Sequence, residues 1–559
     1  MNDATSSGPW DPGIESPVPR RLRHLCTVFR RESSYTRYEE AHELRGFTGL
    51  DYIELVAFRP ERLALHELLI RVSADLTVPD GEKIEDLGIN FRAIVRDVLA
   101  GYIEPRLDEV TAVYAACRGK LAAIVTAELG AAFESTQPRE AIARWEREAH
   151  AADGVRRAAL RAVARTVSAV IAKHGRLWGT PDLLAAVALT LALNEHAAEE
   201  IGRTLDPWLA DAVRERALRV LPRQERPVVM NTKGASASGK STIRPLQRRL
   251  AGEIGTDWQD FALISPDIWR KQLLDYASLG VHYKYAGAFT GDELQVIDRK
   301  LDHYMARKAT RGGMSHLLID RFRFDSFAPD SDVAGSNLLT RFGQIVYLFF
   351  MITPPASLVE RAWNRGLEVG RYKAVDDTLA HGVEAYSGMP ELFFTWIERT
   401  DKRVHFEFLD NTVPLGEPPR TVAFGWNDRL TIFSVQCLLD VERYRRVDIN
   451  ARAPDDLFRD ESLLAPENNL AFLRECVARF RRVSFADAAS GRVYLALEAG
   501  SAIAADAGRL RGAAEDADTR AGLAAVAPGV IERASSLPMP DDRLQDERVH
   551  TLGSWQTRV

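Results

Sequence analysis

The stretch at residues 231 to 242, NTKGASASGKST, constrains the fold of this chain more than any other. It has the spacing of a phosphate-binding loop: Gly234, four residues, then Gly239, Lys240 and Ser241. Glycines there let backbone N–H groups turn toward an anion, the lysine reaches the terminal phosphates, and the serine hydroxyl binds Mg²⁺. A chain of this length contains the pattern by accident about 2% of the time. The residues assigned to the nucleotide are Gly234, Ala235, Ser236, Ala237, Ser238, Gly239, Lys240, Ser241 and Thr242.

The sequence on either side of the loop supports this prediction, because a phosphate-binding loop follows a strand and precedes a helix. Residues 228 to 230 form a short apolar run that suits a buried parallel strand. Pro245 falls just past the first turn of the following helix and is expected to bend it. The alternative, a flexible Gly/Ser linker between domains, does not explain either flank. The apolar face of the predicted helix consists of Ile243, Leu246, Leu250 and Ile254.

Length and composition describe an ordinary globular protein. The 559 residues are enough for roughly two to four domains, and 46% of them are hydrophobic and 27% charged. A net charge of -6 argues against binding to nucleic acid or to an anionic membrane. The four cysteines are far apart and have no zinc-binding spacing, as is typical of a reducing cytoplasm. The N-terminus lacks the pattern of a secretory signal, and the longest helical apolar run, residues 183 to 193, is too short to span a bilayer. We therefore expect a cytoplasmic protein with no membrane partner.

The N-terminal part of the chain has no recognisable catalytic residues. Residues 1 to 20 are rich in Pro, Gly, Ser and Asp and are expected to be disordered. Residues 21 to 222 have helical periodicity and predict a large all-α domain. His196 lies near Glu199 and Glu200, but no second ligand pair stands at metal spacing, so we interpret it as a solvated or packed histidine.

Residues 223 to 415 alternate strand-length apolar runs with helical segments. This alternation predicts an α/β domain of the P-loop NTPase or kinase class, with a parallel sheet that carries helices on both faces. One helix is predicted to begin with a capping box formed by Thr290 and Glu293 and to end at residues 312 to 313. The predicted strands are VVMNT, FALIS, HLLID, IVYLFFMIT and VHFEFLD.

The C-terminal part is predicted to extend this domain. Residues 416 to 500 contain one predicted helix, NNLAFLRECVARFRRV, and one predicted strand, RVYLALE, which we expect to pack on the α/β domain. Residues 501 to 559 are first rich in alanine and then polar, and the last twenty or so are expected to form a flexible tail.

Two carboxylates follow predicted strands, at the sheet edge where such folds bind ligands. Asp267 follows the second strand and is either a general base that accepts the proton of an attacking hydroxyl or the N-cap of the next helix. Asp320 ends the third strand, where it either holds Mg²⁺ or forms an ion pair with Arg321 or Arg323.

Three arginines follow the fourth predicted strand. Arg361 and Arg365 are four residues apart and share a helix face, while Arg371 follows a second glycine. Gly366 and Gly370 would let this segment close on a nucleotide as a lid whose arginines neutralise the transferred phosphoryl group. The alternative is a solvated arginine face.

The motifs GASASGKST, ISPDIW, HLLIDRF, ERAWNRGLEVGRY and VHFEFLDN occur in this order over residues 227 to 411. In order and spacing they resemble the zeta toxin family of P-loop kinases. The resemblance does not extend to the long segments on either side. It differs at residues 265 to 266, which read Ser-Pro rather than acidic, and after Asp320, where RFRFDSF replaces a small Gly/Thr turn.

The resemblance implies phosphoryl transfer from ATP or GTP, with Mg²⁺, to a hydroxyl of a small metabolite. In the toxins the acceptor is the sugar 3′-hydroxyl of UDP-N-acetylglucosamine. Carried over by position, Lys240 holds the β- and γ-phosphates, Ser241 holds Mg²⁺ and Asp267 is the general base. The lid arginines are Arg361, Arg365 and Arg371.

Two further expectations concern the acceptor and the helical domain. The insert at residues 276 to 289 either shapes an acceptor pocket, through His282, Tyr283, Lys284 and Tyr285, or holds these side chains in packing roles. The helical domain is expected to regulate the kinase within the same chain, because zeta toxins are blocked by a separate helical antitoxin. The competing function is a nucleotide-binding interaction protein with little turnover.

Overall fold

The structure of the chain, a computed structural model, describes residues 8 to 83, 85 to 134, 137 to 321, 343 to 414, 416 to 540 and 544 to 555. The described strands form one mixed sheet of ten. They are β1 (Val228–Lys233), β2 (Phe261–Ile264), β3 (His316–Asp320), β4 (Ile345–Ile352), β5 (Arg403–Asp410), β6 (Arg420–Trp426), β7 (Arg429–Ile432), β8 (Arg482–Asp487), β9 (Arg492–Glu498) and β10 (Ser501–Ala505).

The five strands that the sequence predicts form the parallel half of this sheet. β1 lies between β3 and β4, with β2 beyond β3 and β5 beyond β4, and all four pairs are parallel. Their residues are almost all buried, as expected for continuous apolar runs in a parallel sheet covered on both faces. The predicted α/β class is confirmed.

The other half of the sheet is mostly antiparallel and was only partly predictable. β5, β6 and β7 are consecutive antiparallel neighbours, β7 pairs with β8 in parallel, and β8, β9 and β10 are antiparallel again. Of the strands β6 to β10, the sequence predicts only β9. The two-residue turn Asn427-Asp428 between β6 and β7 was a hairpin signal that could have revealed both.

The described part of the chain before β1 is mostly helical. Within the described part of residues 8 to 221, every helical or extended element of three residues or more is helical. Thr180 caps the helix Pro181–Ala192 by accepting a hydrogen bond from the backbone N–H of Leu183. The α-helices are α1 (Tyr38–Thr48), α2 (Pro60–Asp75), α3 (Asp86–Val98), α4 (Leu107–Glu134), α5 (Pro138–Ala151), α6 (Gly154–His174), α7 (Pro181–Ala192), α8 (Ala198–Glu215), α9 (Arg244–Glu253), α10 (Arg270–Leu273), α11 (Ala286–Phe289), α12 (Gly291–Thr310), α13 (Pro355–Val369), α14 (Val375–Ile397), α15 (Val435–Tyr444), α16 (Ala471–Arg479), α17 (Ala507–Ala513), α18 (Ala517–Val526) and α19 (Val530–Arg533).

Helix α2 joins the helical region to the sheet. It packs against α8 and α4 of the helical region and also against β2 and α12. Of its 16 residues 14 are buried, including the charged Arg62, Glu67 and Arg71. The helical region and the sheet therefore share one hydrophobic core.

Both ends of the described chain are packed rather than free. Among residues 8 to 20, which the sequence predicts to be disordered, Val18 is buried and the backbone N–H of Glu15 donates to the Tyr285 hydroxyl over 3.0 Å. Near the C-terminus, where a flexible tail is expected, Leu552 and Trp555 are buried. Composition alone did not reveal these contacts, because their partners lie hundreds of residues away in the chain.

One helical stretch, Asp86–Glu134, is long and apolar enough by length and composition to cross a membrane. It comprises α3, α4 and the turns between them, whereas the sequence had placed the longest apolar run at residues 183 to 193. Helix α4 buries one stripe of side chains against α6 and α7, as the core helices of soluble proteins do. The stripe consists of Val110, Tyr114, Cys117, Leu121, Val125, Leu129 and Ala132.

Candidate functional site

The loop that is predicted to bind phosphate, residues 234 to 242, lies at the carboxyl end of β1. Because β1 is flanked by β3 on one side and β4 on the other, the loop stands where the strand order changes direction, the usual ligand position in open α/β sheets. After the loop comes a 3₁₀ turn, Lys240–Ile243, and then α9. The 3₁₀ turn makes Pro245 the second residue of α9, so this proline does not interrupt the helix.

The two glycines of the motif are required by close contacts. A Cβ atom on Gly234 would stand 2.7 Å from Ser238 Oγ and 2.8 Å from Met351 Cβ. Gly239 has φ of +93°, and a Cβ there would overlap the amide of Asn411. That amide also donates to the carbonyl of Ser238 over 2.8 Å, so the loop is held against the end of β5. Residues larger than glycine would displace the loop.

Lys240 points into the loop. Its ammonium donates to the carbonyls of Gly234 and Ala235, over 3.2 and 2.9 Å. Burial lowers the pKa of Lys240, while the carboxylates of Asp320 and Asp267 raise it. These contacts place the lysine where the sequence predicts it, within reach of an anion seated in the loop.

Ser241 and Asp320 meet as predicted. The Ser241 hydroxyl donates to Asp320 Oδ2 over 3.0 Å, at the carboxyl end of β3. Serine and carboxylate oxygens suit Mg²⁺, which keeps several waters and binds phosphate oxygens besides one or two protein ligands. The residues present therefore fit Mg²⁺, although the described residues include no cluster of three or more His, Cys, Asp or Glu that could hold a metal.

The alternative ion pair for Asp320 is wrong as far as Arg321 is concerned. Arg321 pairs instead with Asp298 and Asp302 of α12, at 2.6 Å each, and is almost fully buried there. Arg323, the other partner considered, lies outside the described residues. Asp320 is therefore not taken by Arg321.

Asp267 accepts hydrogen bonds from two arginines. It lies in the 3₁₀ turn Pro266–Trp269 directly after β2, and 49% of its side-chain surface is exposed. Arg270 Nε donates to Oδ1 over 2.9 Å and Arg371 Nη2 donates to Oδ2 over 2.5 Å. Burial by the walls of the cleft raises the pKa of this carboxyl, but Arg371 and Arg270 outweigh it and bring the pKa below its ordinary value. The N-cap interpretation of Asp267 is wrong, since Ser265 occupies the N-cap position and Asp267 bonds to arginines.

The three lid arginines separate into two groups. Arg361 donates to the carbonyl of Asn411 over 2.6 Å and so ties α13 to the segment after β5, away from Asp267. Arg365 is half-buried, and the structure gives its Nε no partner among the described residues. Burial and the nearby Arg371 lower the pKa of Arg365 to about 9. The solvated-face interpretation is wrong for Arg365 and Arg371. Arg371 bonds to Asp267, and Arg365 is half-buried beside these two residues.

Positive charge exceeds negative charge in this cleft. Burial lowers the pKa of Lys373 to about 7, although the carboxylate of Asp377, 3.5 Å away, raises it. Burial is the main cause of these lowered values and the neighbouring arginines add to it, so an anion bound beside these cations would be stabilised. The cations that act on one another around Asp267, Asp320 and Asp377 are Lys240, Arg270, Arg365, Arg371 and Lys373.

The insert before α12 packs against the lid segment. The ring of Tyr283 meets that of Tyr372 edge to face at 5.8 Å, next to Arg371. The ammonium of Lys284 donates to the carbonyl of Pro12 over 2.8 Å and also lies over the ring of Tyr372. Tyr285 is buried. Packing roles therefore apply to Lys284 and Tyr285, whereas the contacts within the described part of the chain do not distinguish the two interpretations for His282.

Sequence reasoning missed Arg270 and Lys373. Arg270 stands three residues after Asp267, a spacing that brings two side chains together on a helical turn. That spacing was the signal that could have found it. Lys373 carried no such signal, because its burial depends on how α14 packs.

Comparison with known proteins finds no family model that matches the chain and no curated protein that matches it. The site must therefore be interpreted from its own geometry.

Proposed function

We propose that this chain is an ATP-dependent phosphotransferase of the P-loop kinase class, which moves the γ-phosphoryl group to a hydroxyl of a small metabolite. The observations that carry the proposal lie at one end of β1: the predicted phosphate-binding loop, the Ser241–Asp320 oxygen pair, and Arg365, whose charge acts on Lys240 and whose Nε has no hydrogen-bond partner among the described residues. The resemblance to zeta toxins supports the same class and suggests a UDP-sugar, such as UDP-N-acetylglucosamine, as the acceptor.

In this proposal the loop and Lys240 bind the phosphates. The backbone N–H groups of the loop face the anion, and Lys240 exchanges the carbonyls of Gly234 and Ala235 for the β- and γ-phosphate oxygens of ATP or GTP. Ser241 Oγ and Asp320 would hold Mg²⁺, which would offset the charge of the phosphates. Thr242, at the end of the motif, accompanies Ser241 in the turn before α9.

Asp267 is the proposed general base, and the arginines are the proposed source of transition-state stabilisation. A carboxylate at this edge of the sheet accepts the proton of the attacking hydroxyl. In this structure Arg371 bonds to Oδ2 and lowers the basicity of Asp267, so we propose that Arg371 moves from the carboxylate to the phosphoryl group before the proton is accepted. Arg365 and Arg371 then neutralise the charge that spreads over the transferred group, while Arg361 holds the base of the lid.

One observation favours the second candidate, a nucleotide-binding interaction protein with little turnover. Two arginines hold Asp267 and lower its pKa, which makes it a weak base in this conformation. If Arg371 stays on Asp267 when a nucleotide is bound, the site binds but does not transfer.

The proposal includes regulation within the chain and a cytoplasmic location. The indole Nε1 of Trp269, in the turn that carries Asp267, donates to the Ser73 hydroxyl of α2 over 3.1 Å. The helical region thus contacts the base side of the cleft, where a shift of α2 would move Asp267. The cytoplasmic location rests on the four free cysteines, which suit a reducing compartment.

The proposal is tested by MgATP binding and ADP release by the full chain, alone and with a panel of UDP-sugars. We expect one sugar nucleotide to stimulate ADP release, and Lys240→Ala to abolish it by removing the phosphate contact. Lys120→Ala, on the exposed face of α4, is the matched control and should behave as wild type.

Asp267→Asn separates the two candidates. A kinase variant keeps MgATP affinity but loses transfer, by on the order of a hundredfold or more for a removed general base. An interaction protein loses little. Absence of MgATP binding by the wild type, or equal behaviour of Lys240→Ala and wild type, would refute both.

A further inference from the structure

The guanidinium of Arg270 makes three hydrogen bonds at the candidate site. Besides its bond to Asp267 Oδ1, its Nη1 donates to the carbonyl of Gly287 over 2.5 Å and to the Thr290 hydroxyl over 2.7 Å. Gly287 lies in α11 and Thr290 precedes α12, so one guanidinium joins the carboxylate to the end of the insert. The Arg270 side chain is 17% exposed.

The turn that carries Arg270 is also fixed from behind. Trp269 is fully buried and bonds to Ser73 of α2, and Arg62 of α2 donates to the carbonyl of Leu273 over 3.0 Å. Arg270 therefore belongs to the rigid part of the molecule. Rigid elements are what hold reacting groups in a productive geometry.

Arg371, the other partner of Asp267, stands on a different support. It directly follows Gly370, which ends α13 with φ of +73°, a conformation that favours glycine. Of the two arginines on Asp267, one thus comes from the fixed turn and the other from the segment proposed to close on the nucleotide. Only the second can leave without disturbing the turn.

We propose that Arg270 is a positioning residue for the transfer reaction put forward above, on which this inference rests. It holds Oδ1 of Asp267 in place when Arg371 leaves Oδ2, so the freed oxygen faces the acceptor hydroxyl. Through Gly287 and Thr290 it also links the orientation of Asp267 to the insert that borders the acceptor side. Arg270 touches neither the nucleotide nor the reacting atoms in this role.

A double-mutant cycle tests whether Arg270 holds Asp267. Thermal unfolding of the full chain is measured for Arg270→Gln, Asp267→Asn and the double variant. Residues in direct contact give non-additive effects, so the double variant should lose no more in Tm than Arg270→Gln alone. Additive losses would overturn the inference.

The pH profile of ADP release tests the positioning role itself. Without Arg270 the pKa of Asp267 rises, because an opposite charge within bonding distance lowers a carboxyl pKa by about 1–3 units. The acid limb of the profile should therefore move to higher pH in Arg270→Gln, while Arg270→Lys, which keeps the charge, should restore its position. A limb that stays in place in Arg270→Gln would show that Arg270 does not act on Asp267 in the reaction, which would refute the proposal.

Thr290→Val is the matched control. It removes one support of Arg270 without changing any charge on Asp267, so we expect a lower Tm with the acid limb unmoved. Failure of the proposed function is seen separately, as a wild type that does not bind or turn over MgATP. In that case the inference falls with it, whereas an unmoved limb in an active Arg270→Gln enzyme overturns the inference alone.

Discussion

At the residue scale, Lys373 shows how burial beside other cations lowers the pKa of a lysine at the site. Its folded pKa is about 7, against an ordinary lysine pKa of 10.5. Burial and the cations Arg365 and Arg371 lower the pKa, and Asp377 only partly opposes them. Between these two pH values the unfolded chain binds a proton that the folded chain does not, so stability rises with pH over this range. The penalty is complete below pH 7 and is relieved as the pH rises toward 10.5.

We predict that Lys373→Met raises Tm at pH 7 by a few degrees and flattens the rise of Tm between pH 7 and pH 9. Methionine keeps most of the aliphatic stem and removes the buried charge. Thermal unfolding at pH 6, 7, 8 and 9 measures the effect, with Lys120→Met on the exposed face of α4 as the control. Curves that stay parallel to wild type would show that Lys373 is not the source of this pH dependence.

Some site residues can be predicted from a local sequence pattern, whereas others depend on contacts with residues far away in the chain. The loop from Gly234 to Thr242 was predicted from a fixed local pattern, and the structure places it after a strand, with Ser241 in contact with Asp320. The role of Arg361 was not, because its partner, the carbonyl of Asn411, lies 50 residues further along the chain. The surplus of cations in the cleft likewise depends on packing that no local pattern records.

At the scale of elements, the strands could be predicted from local sequence, but the contacts between helices could not. β2 and β4 are continuous apolar runs, β1 and β3 contain shorter ones, and β5 alternates apolar and polar residues, so local sequence was enough to place them. Thr290 and Glu293 match a capping box, but that prediction is wrong: Thr290 accepts from Arg270, and Glu293 is buried in an ion pair with Arg62 and a bond to His66 of α2. Arg62 lies 231 residues away, and no local pattern reports such a partner.

Breaking the Arg62–Glu293 ion pair between α2 and α12 should lower the free energy of unfolding. Glu293→Gln leaves Arg62 buried without its carboxylate, so we expect a loss of about 3–5 kcal/mol in the free energy of unfolding. Glu40→Gln, in the exposed pair with Arg37, should cost less than about 1 kcal/mol. Denaturant unfolding of both variants measures the difference. Equal effects would show that the interface does not depend on the ion pair.

Acid should weaken the same interface. Burial raises the pKa of Glu293, but Arg62 and His66 outweigh it, and the folded pKa lies below the ordinary value. A carboxyl with a lowered folded pKa contributes stability above its unfolded pKa and loses it as the pH falls below that value. Glu293→Gln should therefore differ from wild type more at pH 7 than at pH 3.5, as measured by denaturant midpoints.

At the scale of the whole molecule, the helical region supports the cleft rather than standing apart from it. Helix α2 contacts β2 and α12, and its residues Ser73 and Arg62 hold the turn that carries Asp267 and Arg270. A removable inhibitor would instead be expected to leave the catalytic part intact when it is lost. The ten-stranded sheet and the helices that precede it share one core, so we expect them to fold together.

These contacts bear on the expectation that the helical domain regulates the kinase within the same chain, as a separate antitoxin does for zeta toxins. Without α2, the apolar face of α12, the buried Trp269 and the carboxylate of Glu293 would all be exposed to water. We predict that residues 223 to 559 alone are insoluble or lack a cooperative thermal transition, and that co-expression with residues 1 to 222 restores a soluble complex that binds MgATP. Circular dichroism and size-exclusion chromatography of the two preparations decide the point. A shortened chain that unfolds cooperatively and releases ADP faster than the full chain would instead make the helical region an inhibitor.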